Sequence, residues 1–295
     1  HYLMDVHYFL TPSKKQSIAF DNRFTTSLGL LGANASVNYV NKNLFRGAEK
    51  LTISLGGGFE TQTLVFNNND NNTKFPFNTL EFGPSVKLEL IGLAPFSPAA
   101  LSKRHRAKTI IFSAYNFEKR DIFDRQVFQL NYMWKFFVGK TQIFQLGLPG
   151  ASVIKLVNIN KSSAFQEQLN NLNDVFLNNS YSNQFIWQDS KATFEFNNAQ
   201  KKYKSGKTSF LGASISYNAT FDAAGNILYS LRNSQDIVNG QYQFLDLAYA
   251  QFVRLDNRYV LAKKISSLSS LHFKAEAGAG IPYGNTQTSL PYDYS

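Results

Sequence analysis

The chain contains no cysteine, four histidines, two methionines and two tryptophans. Without cysteine there is no disulfide framework, and no thiolate to hold a metal or attack a substrate. His1, His7, His105 and His272 are widely scattered, which argues against a histidine-based metal site or catalytic triad. The expected complement of metals and cofactors is therefore none, and no grouping of nucleophile, acid and base points to an enzyme. Charged residues make up only 17% of the chain. No run approaches the roughly 18 consecutive apolar residues of a spanning helix. No start Met and no basic-then-apolar leader opens the sequence, so it reads as mature or as cut from something longer.

What the chain has in abundance is phenylalanine (27), tyrosine (15) and asparagine, with a net charge of +10. At about 150 residues per domain, 295 residues suggest one or two domains, although a large barrel runs longer as one unit. Few charges beside many aromatics are unusual in a soluble enzyme. They are ordinary where an exterior faces lipid and an interior is wet.

Strict alternation is the dominant local pattern. Ile18, Phe20 and Phe24 lie on one side of a first strand, with Ser17, Asp21, Arg23 and Thr25 on the other. Ala33, Ala35, Val37 and Tyr39 alternate with Asn34, Ser36 and Asn38 in a second. A third sets Leu51, Ile53, Leu55 and Phe59 against Lys50, Thr52, Ser54 and Glu60. A fourth sets Leu80, Phe82, Val86, Leu88 and Leu90 against Glu81, Ser85, Lys87 and Glu89. Such segments are strands with one apolar and one polar face. A hairpin follows over 109–118 and 126–136. Phe128, Leu130, Tyr132, Trp134 and Phe136 share one face of its second strand, whereas the contiguous Ile110, Ile111 and Phe112 leave the facing of the first open. Further strands are expected over 141–157, 182–196, 210–231, 248–261 and 268–281, making roughly eleven, each near the 9–11 residues that cross a bilayer at a tilt. One helix interrupts them, with Ser163 and Gln166 as a capping box and Phe165, Leu169, Leu172 and Phe176 at helical spacing. It is expected to pack on the outer loops. Short connections (41–47, 138–141) alternate with long ones (67–78, the helix), with 94–108 an exception. Gly56-Gly57-Gly58 inside the third strand suggests a kink or a close approach. The basic groups Lys103-Arg104-His105-Arg106 and Lys201-Lys202-Tyr203-Lys204, with Lys207, have no aromatic pattern beyond the single Tyr203 and sit between strands. They read as solvated turns rather than a nucleic-acid surface. Alternation alone fits a soluble sandwich or solenoid as well, but aromatic residues on nearly every apolar face favour a transmembrane antiparallel β-barrel.

Four blocks in order resemble the BamA/TamA-type outer-membrane assembly superfamily, whose members join periplasmic POTRA modules to a sixteen-stranded barrel. Asn41-Lys42-Asn43-Leu44-Phe45-Arg46-Gly47-Ala48-Glu49 is similar to the family's first periplasmic turn. Lys108-Thr109 followed by Tyr115-Asn116-Phe117, Arg120 and Arg125 resembles its fifth strand and hairpin. Ala250-Gln251-Phe252-Val253-Arg254-Leu255-Asp256 resembles a later strand of the TamA-like branch. Gly278, Gly280-Ile281-Pro282-Tyr283-Gly284-Asn285 and Leu290-Pro291-Tyr292 resemble the strand entering the sixth outer loop. The chain stops at Ser295, before the Arg-Gly-aromatic motif of that loop. The resemblance implies an all-β incomplete barrel, with 13–295 supplying about the first eleven strands and 1–12 the end of the last POTRA module and a hinge.

The resemblance further implies an integral protein of the bacterial outer membrane that helps client barrel proteins fold and insert, with no enzymatic step. Clients would pair with a poorly bonded seam at the first strand: Gln16, Ser17, Ile18, Ala19, Phe20, Asp21, Asn22, Arg23, Phe24 and Thr25. Asn43, Leu44, Phe45, Arg46 and Gly47 would form the family turn, while Asp21, Arg23, Lys50, Glu60, Glu81, Lys87 and Glu89 would face the lumen. The implied partners are client outer-membrane proteins, outer-membrane lipids or lipopolysaccharide, periplasmic or lipoprotein accessory subunits, and the rest of its own chain; nucleic acid is not among them. A passive pore or receptor barrel is the first alternative, and a soluble adhesin or sandwich protein the second.

Overall fold

The computed structural model describes residues 14–27, 30–62, 79–96, 105–198, 213–232, 237–238, 240–266 and 268–286. The expected POTRA end (1–12), the Asn-rich connection 67–78, and Leu290-Pro291-Tyr292 lie outside these residues. So do Lys103, Arg104, Lys201, Lys202, Tyr203, Lys204 and Lys207.

The chain is all-β, dominated by one 12-stranded antiparallel sheet. Its strands are β1 (Gln16–Ser27), β2 (Leu30–Asn41), β3 (Lys50–Gln62), β4 (Thr79–Ile91), β5 (Lys108–Arg120), β6 (Phe123–Val138), β7 (Gln142–Gly147), β8 (Val153–Lys161), β9 (Gln184–Asn197), β10 (Ala213–Ala224), β14 (Phe252–Lys264) and β15 (Ser270–Pro282). Between β10 and β14 lies a small sheet of β11 (Ile237–Val238), β12 (Gln241–Phe244) and β13 (Leu247–Ala248). Three helices, α1 (Ser163–Leu172), α2 (Val175–Ser180) and α3 (Asn226–Ser230), complete the described elements. Among the described residues no helix is long and apolar enough to cross a membrane.

Neighbours in sequence are neighbours in the large sheet, with one refinement. The expected single strand over 141–157 is two. β7 and β8 both pair antiparallel with β6 on one side and β9 on the other, so they occupy one position in the sheet. Met133 faces Gly147 and Asn131 faces Val153, and residues 148–152 leave the ladder between them. Pro149 has no N–H to give the ladder, and Gly150 takes a φ of 89°. The expected strand over 210–231 likewise ends at Ala224, because Gly225 (φ 77°) turns the chain into α3. The expected 248–261 strand begins only at Phe252, after the Ala250 N–H has bonded the Phe185 carbonyl at 3.0 Å.

Residues opposite one another in an antiparallel ladder share a face, so the register assigns both faces. Ile18, Tyr39, Ile53 and Val86 form one row, and Phe24, Ala33, Phe59 and Leu80 another. In β5, Ile111 joins this apolar side opposite Leu88 and Tyr132, while Ile110 and Phe112 point the other way. A stripe of aromatic rings continues it: Phe136 to Phe144 at 5.5 Å, Phe144 to Phe194 at 4.8 Å, and Phe194 to Tyr217 at 6.2 Å. Each such pair contributes about 0.5–1.5 kcal/mol beyond its buried area. Much of this face is bare: Phe20 is 73% exposed and Phe24 84%, and Phe82, Val86, Phe128 and Leu130 are exposed as well. The apolar side chains of β1–β6 thus do not turn into a dry centre.

Among the described residues the buried apolar clusters lie at one end of the sheet. Phe252, fully buried, meets Ile186, Ala224 and Ala250; removing such a side chain from water contributes about 2–3 kcal/mol. Phe123, Val157 and Ile159 lie on the polar side and are covered by Phe165 and Tyr181, from α1 and the segment after α2. The helical segment therefore folds over the polar face of the sheet rather than packing on the outer loops. Its N-cap is Ser162, one residue before the expected Ser163: the Phe165 N–H donates to the Ser162 hydroxyl at 3.3 Å. Gln166 reaches forward to Asn170 instead of closing a capping box. On the apolar side at the same end, Phe185 and Trp187 are covered by Phe244, Tyr249 and Leu228.

Candidate strand-pairing edge and polar face

β1 and β15 are the two ends of the strand order: among the described residues β1 pairs with β2, and β15 with β14. The expected pairing edge Gln16, Ser17, Ile18, Ala19, Phe20, Asp21, Asn22, Arg23, Phe24 and Thr25 falls within β1, and every one of these residues is exposed. The register of β1 with β2 runs without a break from Gln16 opposite Asn41 to Ser27 opposite Leu30. Just before it, the Lys42 N–H donates to the Lys15 carbonyl at 2.9 Å. Backbone groups alternate in direction along an antiparallel strand. Odd-numbered residues therefore bond to β2, and the N–H and C=O of Gln16, Ile18, Phe20, Asn22, Phe24 and Thr26 point to the free edge. Their side chains are those of the apolar face. The edge has no proline and no bulge, two of the devices by which exposed strands discourage pairing.

All seven residues expected to face a lumen lie on one side of the sheet, opposite the aromatic stripe. Lys50 stands directly across from Glu89, and Arg23 shares its row with Asn34, Gly58 and Glu81. Asp21 accepts from the Asn38 amide at 3.0 Å. Glu89 bridges Lys87 and Lys108, each at 3.3 Å. Further along the same face, Lys191 pairs with Asp222 at 3.4 Å, and Arg258 and Lys274 both reach Glu276. Beside β1 the side chains nearly vanish. The row Asp21, Ser36, Gly56, Gly83 opens a hollow of about 540 Å³. The expected close approach is present at Gly58, whose missing Cβ leaves room for the Asn34 amide. Among the described residues no three acidic or histidine side chains gather as a metal would require.

The turn 42–49 shows why its residues have their spacing. The Asn43 N–H donates to the Asn41 side chain, and the Asn43 side chain accepts from the Ala48 N–H, each at 3.0 Å. The Leu44 N–H bonds the Glu49 carbonyl at 3.1 Å. The Glu49 carboxylate folds back to accept from the Phe45 N–H at 3.2 Å and the Gly47 N–H at 2.9 Å. A Cβ at Gly47 would strike that carboxylate. Arg46 and Ala48 take positive φ values of 71° and 64° to close the turn, while the side chains of Phe45 and Arg46 project outward. Of the five motif residues, Asn43 and Gly47 thus build the turn together with Glu49. Its own backbone N–H above all, then those of Gly47 and Phe45, hold the Glu49 carboxyl below its usual range against the opposing effect of burial. A carboxyl whose folded pKa is lowered contributes stability that is complete above the unfolded value and lost as pH falls through the folded one. The Gly47 and Phe45 amide resonances should therefore titrate together with a midpoint below 4.5, the ordinary value for Glu. Glu49→Gln should abolish the titration. A midpoint at or above 4.5 would contradict this role.

A second polar centre was not anticipated. Asn285, buried at the far end of β15, donates from its amide to the Tyr242 and Tyr249 carbonyls at 2.8 and 2.9 Å, and its side-chain oxygen accepts from the Tyr242 N–H at 2.6 Å. Its own N–H bonds the Gln251 side chain at 2.9 Å. Gln251 and Asn285 thus tie the small sheet to the large one. Their presence in two of the motif blocks was the available signal. Nearby, burial pushes the Tyr249 phenol up to about 12, against the opposing pull of Arg232. No protein-family model matches this chain, and no curated protein matches it either.

Proposed function

We propose that the chain is the barrel portion of an outer-membrane protein assembly factor of the BamA/TamA type, integral to the bacterial outer membrane, in which β1 templates strands of client proteins. The observation that carries this reading is a sheet with one largely bare apolar face and one charged face, which among the described residues ends at β1. Six alternate residues of β1, from Gln16 to Thr26, direct their backbone donors and acceptors away from β2. An extended client segment that adds to this edge gains main-chain hydrogen bonds, each worth about 0.5–1.5 kcal/mol net. Because opposed residues share a face, its apolar side chains must stand across from Ile18, Phe20 and Phe24. Its polar ones must stand across from Ala19, Asp21 and Arg23. The partner strand is thus amphipathic with a period of two, which is the pattern of strands that themselves become part of a membrane barrel.

No group in this process breaks or makes a covalent bond, so the protein acts by pairing and by local disturbance of the bilayer. Client barrel proteins, surrounding lipids and lipopolysaccharide, accessory subunits and the remainder of its own chain are the partners of this reading. Single cysteines at Ile18, Phe20 and Asn22 test it against a client carrying a cysteine in each of its strands in turn. Disulfide crosslinks should form in one register, shifting by one client residue for each residue moved along β1. Crosslinks absent for every client strand, or spread over all registers, would overturn the templating step.

A further inference from the structure

The two ends of the sheet differ sharply in charge. One end carries the turns 42–49 and 139–141, the end of β14 and the starts of β1 and β15. There Lys14, Lys15, Lys42, Arg46, Arg106 and Lys264 are all exposed. Among the described residues the carboxylates at that end are already engaged, Glu49 by its own turn, Glu89 by Lys87 and Lys108, and Glu195 by the Gln145 amide. The other end carries both signs, with Lys119, Arg120 and Lys161 beside Glu60, Asp121 and Asp124.

We infer that the basic end is a docking surface for the phosphate headgroups of an anionic phospholipid leaflet. The inference rests on the membrane-spanning reading above and adds to it which end of the sheet contacts acidic lipid. Charge alone would suit an acidic protein equally well, but three observations favour lipid. The cations span the sheet from β1 to β14 instead of forming one compact patch, as a plane of headgroups requires. Large apolar side chains project among them: Phe45 and Phe96 on turns, Ile265, and Leu268 at 96% exposure. Trp134 and Tyr132, on the apolar face at the same end, direct their N–H and O–H to the Ala94 carbonyl at 2.8 and 2.6 Å, with Phe96 beside the indole at 5.7 Å. Amphipathic rings of this kind settle at the headgroup boundary, and basic side chains next to them add attraction to anionic lipid.

The test uses the full chain, purified in detergent and diluted into vesicles of phosphatidylcholine alone or of phosphatidylcholine with about one third phosphatidylglycerol. Binding should be about tenfold tighter to the anionic vesicles, and the preference should collapse at about 0.5 M salt. The variant K14E/K15E/R46E/K264E should lose the preference, while K119E/K161E at the opposite end keeps it. The substituted side chains are exposed, apart from the half-buried Lys161, and retained strand content in detergent checks that each variant folds. Equal binding to both vesicle types with insertion into both overturns the headgroup inference, points to an acidic protein partner, and leaves the spanning reading intact. Failure to insert into either overturns both.

Discussion

Val86→Arg should abolish productive insertion into bilayers, whereas Ser85→Arg, one residue away, should leave it within a few-fold of the parent chain. The contrast follows from the register. Val86 lies close to the middle of β4, between Ile53 and Ser113 on the apolar face, and is 43% exposed. Ser85 points to the face of Glu81, Lys87 and Glu89. An arginine on the lipid side of a spanning strand costs about 2–4 kcal/mol at the bilayer midplane, which corresponds to roughly thirty- to thousand-fold in insertion, while substitution on the wet side costs almost nothing. A soluble sheet would respond in the opposite sense, since an added charge on an exposed apolar surface raises solubility and leaves folding unchanged. Protease protection of the chain in vesicles measures the difference directly. Equal insertion of the two variants would contradict a lipid-facing β4.

Phe20→Pro should cut capture of a client strand about tenfold or more without unfolding β1. Phe20 directs its N–H to the free edge, so proline there removes no bond to β2. It deletes one donor from the template, and its ring obstructs an approaching strand; proline is tolerated in sheets at such edge positions for the same reason. Phe20→Ala, which keeps the donor, separates the loss of the aromatic ring from the loss of pairing and should retain most of the capture. Ala19→Pro removes a β2 bond and should destabilise the strand itself. Capture by Phe20→Pro equal to that of the parent chain would show that the edge backbone is not what clients recognise.

The alternation of β1 to β4 could be read directly because the large apolar residues of each strand keep to one side, with no bulge in the register. The same regularity placed all seven charged residues on one face before any pairing was known. The break at 148–152 was also legible, since Pro149-Gly150 is a turn signal inside what otherwise resembles a strand; the surrounding apolar residues masked it. The end of β10 was not. Gly225 is followed by α3, whose first N–H groups, at Asn226 and Ile227, bond to Asp189 on a bulged part of β9, a contact that no local pattern announces. Asn285 and Gln251 belong to the same class. Ser162 and Ser163 are equivalent by composition, and only the direction of the chain leaving β8 decides which one caps the helix. The parity of the free edge, on which the template argument depends, is a property of register and could not be read from β1 alone.

The claim beneath all of this is that one face of the sheet meets hydrocarbon and the other meets water. Nitroxide labels placed one at a time from Leu80 to Leu90, in the vesicle-reconstituted chain, test it most directly. Collision with oxygen, which partitions into lipid, should peak at Leu80, Phe82, Val86 and Leu88. Collision with a water-soluble nickel chelate should peak at Glu81, Ser85, Lys87 and Glu89, giving two curves of period two in opposite phase. Uniform access of the nickel chelate along the whole strand, or two curves in phase, would contradict the account.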